Sequence, residues 1–577
     1  MSTVEKGCQE SPLPQKTSPT PDLGRLTELL RRVESGAPVE PREVYPLTQT
    51  PDRATRGLAK RLLAVVLSEQ TRRDAARLLC EACEDLEYRH PALLNEALGQ
   101  LYALRQGAQL FAQRAGAAEH AARRGEHIAA LIHVQNAAVL DFQFDSRCDT
   151  DPDCLRRLIQ VYERVARDAL GQMGIAPAAR RQRRSPANGK LRLAHVVCQL
   201  VDGGHAPSRV VKALLKFADR EKFDYTLVVS EALAPHARHS GQVALSPPSD
   251  ARAPKLIRHI EHELGIPVLR PRTLDSFLTS AADLHRQMAE RQVDVAFFHG
   301  SIATPTDWLL CAWQAAPWQF DRGFGIPLYC PAVDYQFFEL APTMEKLAVL
   351  CRERGIPYGL SPNGTVDLSG IEAAQPLARA TLGVPADHVI LGTVGNHLSE
   401  RMGPQFCQTV AGVLRSHPRT TYLIVGPGTF ETQRAVFGAD LVGGNGPGAR
   451  VRFVGATDHA DRWTKTFDIY VNEYPGGGGI SVCEAMAAGK PVLCVQGDTS
   501  MFASVAATYV GQTNLVQPPT DEAYARRLTT LIEDEDQRQA LGQALRQRYQ
   551  QEFDPRNFAV GMTDRIWDIV QADLARS

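Results

Sequence analysis

One stretch of the chain, residues 468–495, constrains the fold more than any other. It reads DIYVNEYPGGGGISVCEAMAAGKPVLCV. The pattern predicts a buried strand, a loop of four glycines from Gly476 to Gly479, a helix around Glu484, and a second buried strand after Gly489. A strand, loop, helix and strand in this order form one unit of a parallel α/β sheet, where ligands bind beyond the carboxyl ends of the strands.

The glycine loop is a candidate site for a diphosphate. Glycine lets backbone N–H groups approach an anion closely, and the start of the following helix adds about half a positive charge. Glu484 lies about one turn inside that helix, close enough to accept hydrogen bonds from the ribose of a nucleotide. The alternative is a flexible surface loop with a solvated glutamate. The flanking strands and helix favour the diphosphate site.

Length and composition indicate an ordinary soluble protein of several domains. The 577 residues are too many for one hydrophobic core and suggest about three domains. A formal net charge of -1 gives no overall attraction to nucleic acid or to an anionic membrane. Residues 1–21 resemble a disordered tail rather than a signal peptide, and no run of about 18 apolar residues could span a bilayer. We therefore expect a cytoplasmic protein that binds no nucleic acid and has no membrane span.

The cysteines are scattered through apolar segments, which indicates buried free thiols in a reducing compartment. Cys80 and Cys83 form a CxxC pair that could bind a metal together with Cys148 and Cys154. Such a pair is weak evidence for a metal site, because it lies inside a helical pattern and has no second close pair or nearby histidine. We therefore predict free thiols and no metal site.

Hydrophobic periodicity divides the chain into segments. Residues 22–178 place apolar side chains three and four apart and are predicted to form an all-helical domain, in which no convincing repeat period is found. Residues 179–190 are a basic linker that lacks the interleaved aromatics of a nucleic-acid patch. Strands then alternate with helices in two Rossmann-like domains, residues 191–368 and 369–553. A last helix, residues 554–577, is expected to pack back on the first of these domains.

Four blocks of sequence carry a resemblance to a known enzyme family. They are LRLAHVVCQLVDGGHAPSRVVKALLKFADREKFDYTLVVSE, AWQAAPWQFDRGFGIPLYCPAVDY, GNHLSERMGPQFCQTVAGVLRSHPRTTYLIVG and TDHADRWTKTFDIYVNEYPGGGGISVCEAMAAGKPVLCV. In this order they resemble the catalytic region of O-GlcNAc transferases, including the SPINDLY type. They also resemble the bacterial cytoplasmic N-glucosyltransferases that modify adhesins. The resemblance covers about residues 191–531.

The resemblance implies the GT-B fold, in which two Rossmann-like domains face a cleft, preceded here by an all-α domain. It also implies an inverting, metal-independent glycosyltransferase that moves a hexose or N-acetylhexosamine from a UDP-sugar to an Asn, Ser or Thr side chain. The UDP-sugar is the donor substrate, and no further cofactor is implied. The helical domain would border the acceptor side of the cleft, where a protein or peptide acceptor binds.

His205 is the candidate catalytic residue, because it matches the histidine that the resembled family carries in its first βα loop, facing the reaction centre. An imidazole over the cleft suits general-base work or positioning of the acceptor, since its ordinary pKa lies near neutral pH. The alternative is a capping or surface histidine. His195 lies inside the preceding strand pattern and is predicted to be a core residue.

The donor-binding residues are assigned by their places in the matching blocks. Arg401 stands where the family has a lysine that contacts the diphosphate, and its alternative is a surface arginine at a helix start. Asn396 would orient the same turn or cap a helix, and His459 matches a histidine beside the nucleotide base. Gln319 aligns with a glutamine near the donor, although a buried amide bonded to backbone is the other account. The predicted donor set is Gln319, Asn396, Arg401, His459, Gly477, Gly478, Gly479, Ile480, Ser481 and Glu484.

The sequence departs from the family pattern where the sugar is recognised. The donor loop of the family usually carries His and Thr, whereas Gly477–Ser481 take those places here, and Gln314 stands where an arginine is common. The loop and the following EAMAAGKPV also resemble retaining, lipid- or polysaccharide-directed GT-B enzymes with two glutamates eight positions apart, but the partner position to Glu484 is Gly476. Transfer to a glycan or lipid precursor therefore stays an alternative, as does a catalytically silent nucleotide-sugar-binding scaffold.

Overall fold

The structure is a computed structural model, and it describes residues 21–35, 37–67, 72–85, 107–144, 151–175, 183, 189–203, 205–231, 249–323, 327–443, 449–474, 477–496 and 501–576. Three predictions fall partly or wholly outside these residues: the tail before Pro21, most of the basic linker, and the positions of Gly476 and Cys148. Within the described ranges no helix is both long and apolar enough to cross a membrane.

The secondary-structure elements described before residue 176 are all helices. Its helices are Pro21–Glu34, Pro41–Val44, Arg53–Val66, Arg72–Asp85, Gly107–Arg123, His127–Phe144 and Pro152–Leu170, with a 3-10 helix at Tyr45–Gln49. The helices up to Asp85 share a small core that includes Leu26, Leu63 and Leu79. The two helices from His127 onward pack instead into a core that they share with the first sheet.

The first sheet has seven parallel strands. They are β1 (Leu191–Val197), β2 (Phe223–Val229), β3 (Val268–Leu269), β4 (Val295–Phe298), β5 (Trp318–Asp321), β6 (Tyr335–Phe338) and β7 (Tyr358–Leu360). Their order is β3-β2-β1-β4-β5-β6-β7, and every neighbouring pair is parallel. The connecting helices are Ala206–Lys216, Ser249–Arg252, Pro254–Arg258, Phe277–Glu290, Pro305–Ala312, Ala341–Arg354 and Ser369–Ala373, with a π-helix at His259–Glu263.

The second sheet has five parallel strands. They are β8 (Val389–Val394), β9 (Thr420–Val425), β10 (Val451–Gly455), β11 (Ile469–Val471) and β12 (Val492–Leu493), in the order β10-β9-β8-β11-β12. The helices are Leu398–Arg401, Pro404–Ser416, Glu431–Phe437, Ala439–Val442, Ala460–Thr466, Ile480–Ala487, Met501–Val510, Asp521–Glu533, Glu535–Glu552 and Pro555–Leu574, with a 3-10 helix at Gln512–Asn514. Two parallel sheets after a helical region confirm the predicted α/β architecture.

Both sheets reverse their direction of growth once, and these reversals define where a ligand can bind. The chain adds strands on one side of β1 and then crosses to β4, and it repeats this pattern from β8 to β11. Loops that leave the carboxyl ends of such a strand pair diverge and leave a crevice between them. The loop after β1 carries His205, the short helix after β8 ends at Arg401, and the loop after β11 carries Gly477, Gly478 and Gly479.

The last helix, Pro555–Leu574, packs against the first sheet domain rather than the second. The ring of Trp567 meets the ring of Phe223 edge-on with 5.6 Å between centroids, and Lys222 Nζ lies 2.6 Å from Asp564 Oδ1. Trp318 Nε1 also donates to Asp573 Oδ2 at 3.0 Å. The end of the chain therefore returns from the second domain to the first.

Candidate active site

The glycine loop is held in place by the residue that follows β11. The side-chain oxygen Oδ1 of Asn472 accepts a 2.8 Å hydrogen bond from the N–H of Gly478. Gly477 has a positive φ of +25°, and a Cβ built there would lie 2.8 Å from Asn472 Nδ2. A Cβ at Gly478 would lie 2.5 Å from Ser481 Oγ. Glycine is therefore favoured at Gly477 by its positive φ, and a side chain at Gly478 would force Ser481 Oγ to move.

Arg401 lies against this loop, and its predicted contact with a diphosphate stays a prediction. It ends the short helix Leu398–Arg401 after β8, and its Nη1 donates to the carbonyl oxygen of Gly477 at 3.2 Å. A Cβ at Gly395 would lie only 2.5 Å from Arg401 Nη2. Since β8 and β11 are neighbours in the sheet, the guanidinium lies between the two loops that leave them. Its side chain is 18% exposed, so the surface-arginine alternative is wrong.

Glu473 is a buried carboxylate beneath Arg401 that the sequence analysis did not identify. Its Oε1 faces Arg401 Nε at 3.0 Å, and its side chain is 0% exposed. Neither carboxylate oxygen has a hydrogen-bond partner among the described residues. Burial raises the pKa of Glu473, and the nearby Arg401 opposes that rise. Its position in the sequence, directly after a buried strand and just before the glycines, could have identified Glu473 as a candidate.

Glu484 is buried and paired, so the solvated alternative is wrong for this residue. It belongs to the helix Ile480–Ala487 and is 7% exposed. Its Oε1 lies 2.5 Å from Nη1 of Arg209, a residue of the helix Ala206–Lys216 in the first sheet domain. This ion pair joins the two sheet domains across residues that are 275 positions apart. Arg209 is the second residue that sequence reasoning missed.

His205 occupies the N-cap position of the helix Ala206–Lys216, but its side chain makes no capping hydrogen bond. Its Nδ1 lies 2.7 Å from Oγ of Ser208. That hydroxyl also accepts a 2.9 Å hydrogen bond from the N–H of Val201. Burial, and secondly the charge of Arg252, lower the pKa of His205 to about 4. The ring is therefore a neutral imidazole at neutral pH.

The structure does not bring Gln319 to the donor loop. Its side chain is 1% exposed, and its Nε2 donates to the carbonyl oxygens of Cys311 at 2.9 Å and Ala332 at 3.0 Å. These contacts match the alternative of a buried amide bonded to backbone through its NH2 group, while its Oε1 has no hydrogen-bond partner among the described residues. The assignment of Gln319 to the donor is therefore not supported.

The other predicted residues lie at the carboxyl edge of the second sheet. Asn396 is exposed just after β8, and the N-cap position of the next helix is His397, so Asn396 is not that cap. His459 is exposed at the start of the helix Ala460–Thr466, and its N–H donates to Thr457 Oγ1 at 3.1 Å. Ile480 and Ser481 open the helix behind the glycine loop and are partly buried. Gly479 lies beside Val505, whose Cγ1 would be 3.1 Å from an added Cβ.

Two features outside the cleft complete the comparison with the sequence. His195 is buried, as predicted, with its Nδ1 2.8 Å from Nε2 of His299, and burial lowers the pKa of His195 to about 3. Cys80 and Cys154 are free thiols. In the part of the chain that the structure describes, no three His, Cys, Asp or Glu side chains come together as a metal site requires.

Comparisons with known proteins bear on the second sheet domain and on the whole fold. Residues 375–548 match the family model described as glycosyl transferases group 1. Among solved structures, a mutant of the Thermobaculum terrenum O-GlcNAc transferase is similar with a TM-score of 0.50 at 17% identity, covering 96% of this chain and 100% of that one. A search of curated proteins found no significant match.

Other similar structures cover about two thirds of the chain. A glycosyltransferase from Rickettsia africae ESF-5 has a TM-score of 0.48 at 12% identity and covers 67% of this chain and 100% of that one. The Anabaena protein HepE in complex with UDP-glucose has a TM-score of 0.44 at 16% identity and covers 65% and 99%. At these identities a likeness concerns the fold alone. Residues 375–548 are therefore similar to glycosyl transferases group 1, and the chain has the α/β architecture of the GT-B fold, preceded by a helical region.

Proposed function

We propose that the protein is an inverting, metal-independent glycosyltransferase that uses a UDP-sugar to modify an Asn, Ser or Thr side chain of a protein. The observation that carries the proposal is the contact between Arg401 and the glycine loop. The guanidinium lies 3.2 Å from the carbonyl oxygen of Gly477, at the start of the helix that begins with Ile480. A permanent cation and a helix N-terminus meet here, which is the combination that stabilises a diphosphate.

The donor would lie across the carboxyl edge of the second sheet. Its diphosphate would accept hydrogen bonds from Arg401 and from the backbone amides of residues 477 and 479–481. The N–H of Gly478 is excluded because it already donates to Asn472 Oδ1. The ribose hydroxyls would bond to Glu484. The base would lie toward His459, in the loop after β10. Asn396 would border the diphosphate from the loop after β8. Negative charge grows on the diphosphate as it leaves, and these fixed donors stabilise that charge more in the transition state than in the ground state.

The reaction is a single displacement at the anomeric carbon. The acceptor oxygen or nitrogen forms a bond to that carbon while the bond to the diphosphate oxygen breaks, and the acceptor proton leaves to water or to the departing diphosphate. His205 has a pKa of about 4, so its imidazole holds a proton only weakly at neutral pH. We assign it the task of orienting the acceptor by a hydrogen bond rather than of removing the proton.

The helical region supports a polypeptide acceptor. It lies directly on the first sheet domain: Tyr162 donates to the carbonyl oxygen of Ile302 at 2.6 Å, and Trp313 donates to that of Ala166 at 3.1 Å. A small acceptor needs only the cleft, whereas an extended peptide gains affinity from many weak contacts along a neighbouring surface. In the resembled family the helical region borders the acceptor side of the cleft, and this supports the proposal of a protein acceptor.

A donor screen followed by an acceptor assay tests the proposal. The melting temperature is measured with UDP-, GDP- and dTDP-sugars, since a ligand that binds the native state raises it. Release of UDP is then measured with candidate protein acceptors, with lipid or glycan precursors, and with none. Transfer to a protein that depends on Arg401 supports the proposal. Transfer only to a lipid or glycan contradicts the proposed acceptor, and no turnover with any donor would indicate a binding scaffold.

A truncation tests the role of the helices separately. Deleting residues 1–106 removes the helices up to Asp85 and spares those that share a core with the first sheet. The truncation would expose side chains that are buried in the small core, including Leu110 and Ala117. We expect the shortened protein to bind UDP as the full chain does and to lose transfer to protein. Unchanged transfer would show that these helices do not hold the acceptor.

A further inference from the structure

We propose that Arg209 is a positioning residue for recognition of the donor ribose, acting from the domain opposite to the donor. This inference rests on the proposed function, because it concerns how Glu484 binds a UDP-sugar. Arg209 would hold one oxygen of the Glu484 carboxylate and leave the other for the ribose hydroxyls. Selection of a ribonucleotide would then require both domains, although the predicted donor residues apart from Gln319 lie in the second.

The geometry of the carboxylate supports this division. Nη1 of Arg209 lies 2.5 Å from Oε1 of Glu484. The second oxygen, Oε2, has no hydrogen-bond partner in the described part of the chain, and it is not among the enclosed polar atoms. The Glu484 side chain as a whole is 10% exposed. One oxygen is therefore fixed by a cation, while the other is accessible to a ligand in the cleft.

The surroundings distinguish this pair from an ordinary surface ion pair. Exposed pairs contribute little, because two long side chains lose conformational freedom in a medium of high dielectric constant. Here the carboxylate lies on a helix behind the glycine loop, and it is nearly enclosed. A guanidinium that holds one oxygen restricts the rotation of the carboxylate, so the second oxygen has fewer orientations to lose when the ribose arrives.

Arg209 also connects this carboxylate to the acceptor side of the cleft. Its backbone N–H donates to the carbonyl oxygen of His205 at 3.1 Å, in the first turn of the helix Ala206–Lys216. The helix that begins after His205 therefore carries Arg209, the partner of Glu484, one turn later. Contact between the two domains at this point sets the distance from the ribose to the acceptor-side histidine.

The test measures discrimination between nucleotides in the full-length protein. Dissociation constants for UDP, 2′-deoxy-UDP and 3′-deoxy-UDP are measured by calorimetry for the wild type, Arg209→Ala, Arg209→Lys and Glu484→Ala. Lys216→Ala is the matched control, because Lys216 lies on the same helix and forms its own 2.5 Å ion pair with Asp367. Hydrogen bonds to a charged group are strong enough for the wild type to prefer UDP over at least one deoxy analogue by about tenfold or more.

We expect Arg209→Ala to reduce that preference to nearly one, as Glu484→Ala does, with the affinity for the disfavoured analogue almost unchanged. Arg209→Lys should give an intermediate ratio, and Lys216→Ala should keep the wild-type ratio. A general disturbance of the fold would weaken all nucleotides alike. If Arg209→Ala keeps the wild-type preference while Glu484→Ala loses it, the inference is overturned and the proposed function stands. If the wild type binds none of the nucleotides, both are overturned.

Discussion

Replacing Arg401 by alanine should separate its role in donor binding from its role in stability. The change removes the proposed diphosphate ligand and also leaves Glu473, whose side chain is 0% exposed, without its cation. Breaking a buried ion pair from one side costs about 3–5 kcal/mol. Because the Arg401 side chain is 18% exposed, we take the lower end, about 3 kcal/mol. In a domain of this size such a loss lowers the melting temperature by about 6–12 °C.

The penalty depends on pH, and its sign follows from the pKa of Glu473. Burial raises that pKa and Arg401 opposes the rise, so removing Arg401 raises it further. At acidic pH the Glu473 carboxyl carries a proton in both the folded and the unfolded states. It then adds nothing to the loss of folding stability caused by Arg401→Ala. The loss of stability grows as the pH rises from the pKa of Glu473 in the folded wild type to its pKa in the folded variant, by at most about 1.4 kcal/mol per pH unit.

The assay is a melting curve across a pH series, combined with a titration of UDP. The double variant Arg401→Ala with Glu473→Gln removes the uncompensated charge, so it should recover most of the lost stability without recovering UDP binding. Arg415→Ala is the control: its ion pair with Asp440 is 47% and 56% exposed, and its loss should cost at most about 1 kcal/mol. A penalty that is independent of pH, or that Glu473→Gln leaves unchanged, would refute the reasoning.

Three further predictions concern turnover and the loop. His205→Ala should lower turnover with UDP affinity intact, and a fully active variant would contradict its role. Because the pKa of His205 is about 4, the pH profile of the wild-type rate should show no step near the ordinary histidine pKa. Turnover should persist in EDTA, and loss that magnesium or manganese restores would oppose this. Gly478→Ala should weaken UDP binding, since its Cβ would lie 2.5 Å from Ser481 Oγ. The control is Gly412→Ala, whose Cβ meets nothing within 4 Å and which should stabilise its helix by up to about 1 kcal/mol. Equal UDP affinities for the two variants would contradict the prediction for Gly478.

Much of the fold could be predicted because its signals are local. The strand, glycine run and helix from Asp468 onward are each written in a few consecutive residues, and the structure has β11, the loop and the helix Ile480–Ala487 in that order. Arg401 reaches the loop because β8 and β11 are adjacent, and parallel neighbours place their carboxyl ends at one edge. Periodicity predicted the elements around the loop, whereas Arg401 was assigned from its place in a block that resembles a known family, and its role toward a donor stays a prediction.

The failures have a different physical origin. Gln319 was assigned by its place in a matching block, but whether a strand residue faces the cleft or the core depends on the register of the sheet, which alternates at every residue. Arg209 could not be identified as the partner of Glu484, because the two residues are 275 positions apart. Contacts between domains depend on how the domains meet, and no local pattern in the sequence records that.

The two arginines and the two glutamates of the cleft together explain how a site can select a donor without attracting every anion. Arg401 faces Glu473 at 3.0 Å, and Arg209 faces Glu484 at 2.5 Å, so each cation is already compensated before a ligand arrives. A free phosphate would meet Arg401 and Glu473 together, and the charge of Glu473 offsets part of the attraction. A nucleoside diphosphate gains in addition the loop amides and the free oxygen of Glu484. If the proposed site binds a donor in this way, we expect affinity to require the diphosphate and the ribose at the same time, which a simple anion cannot satisfy.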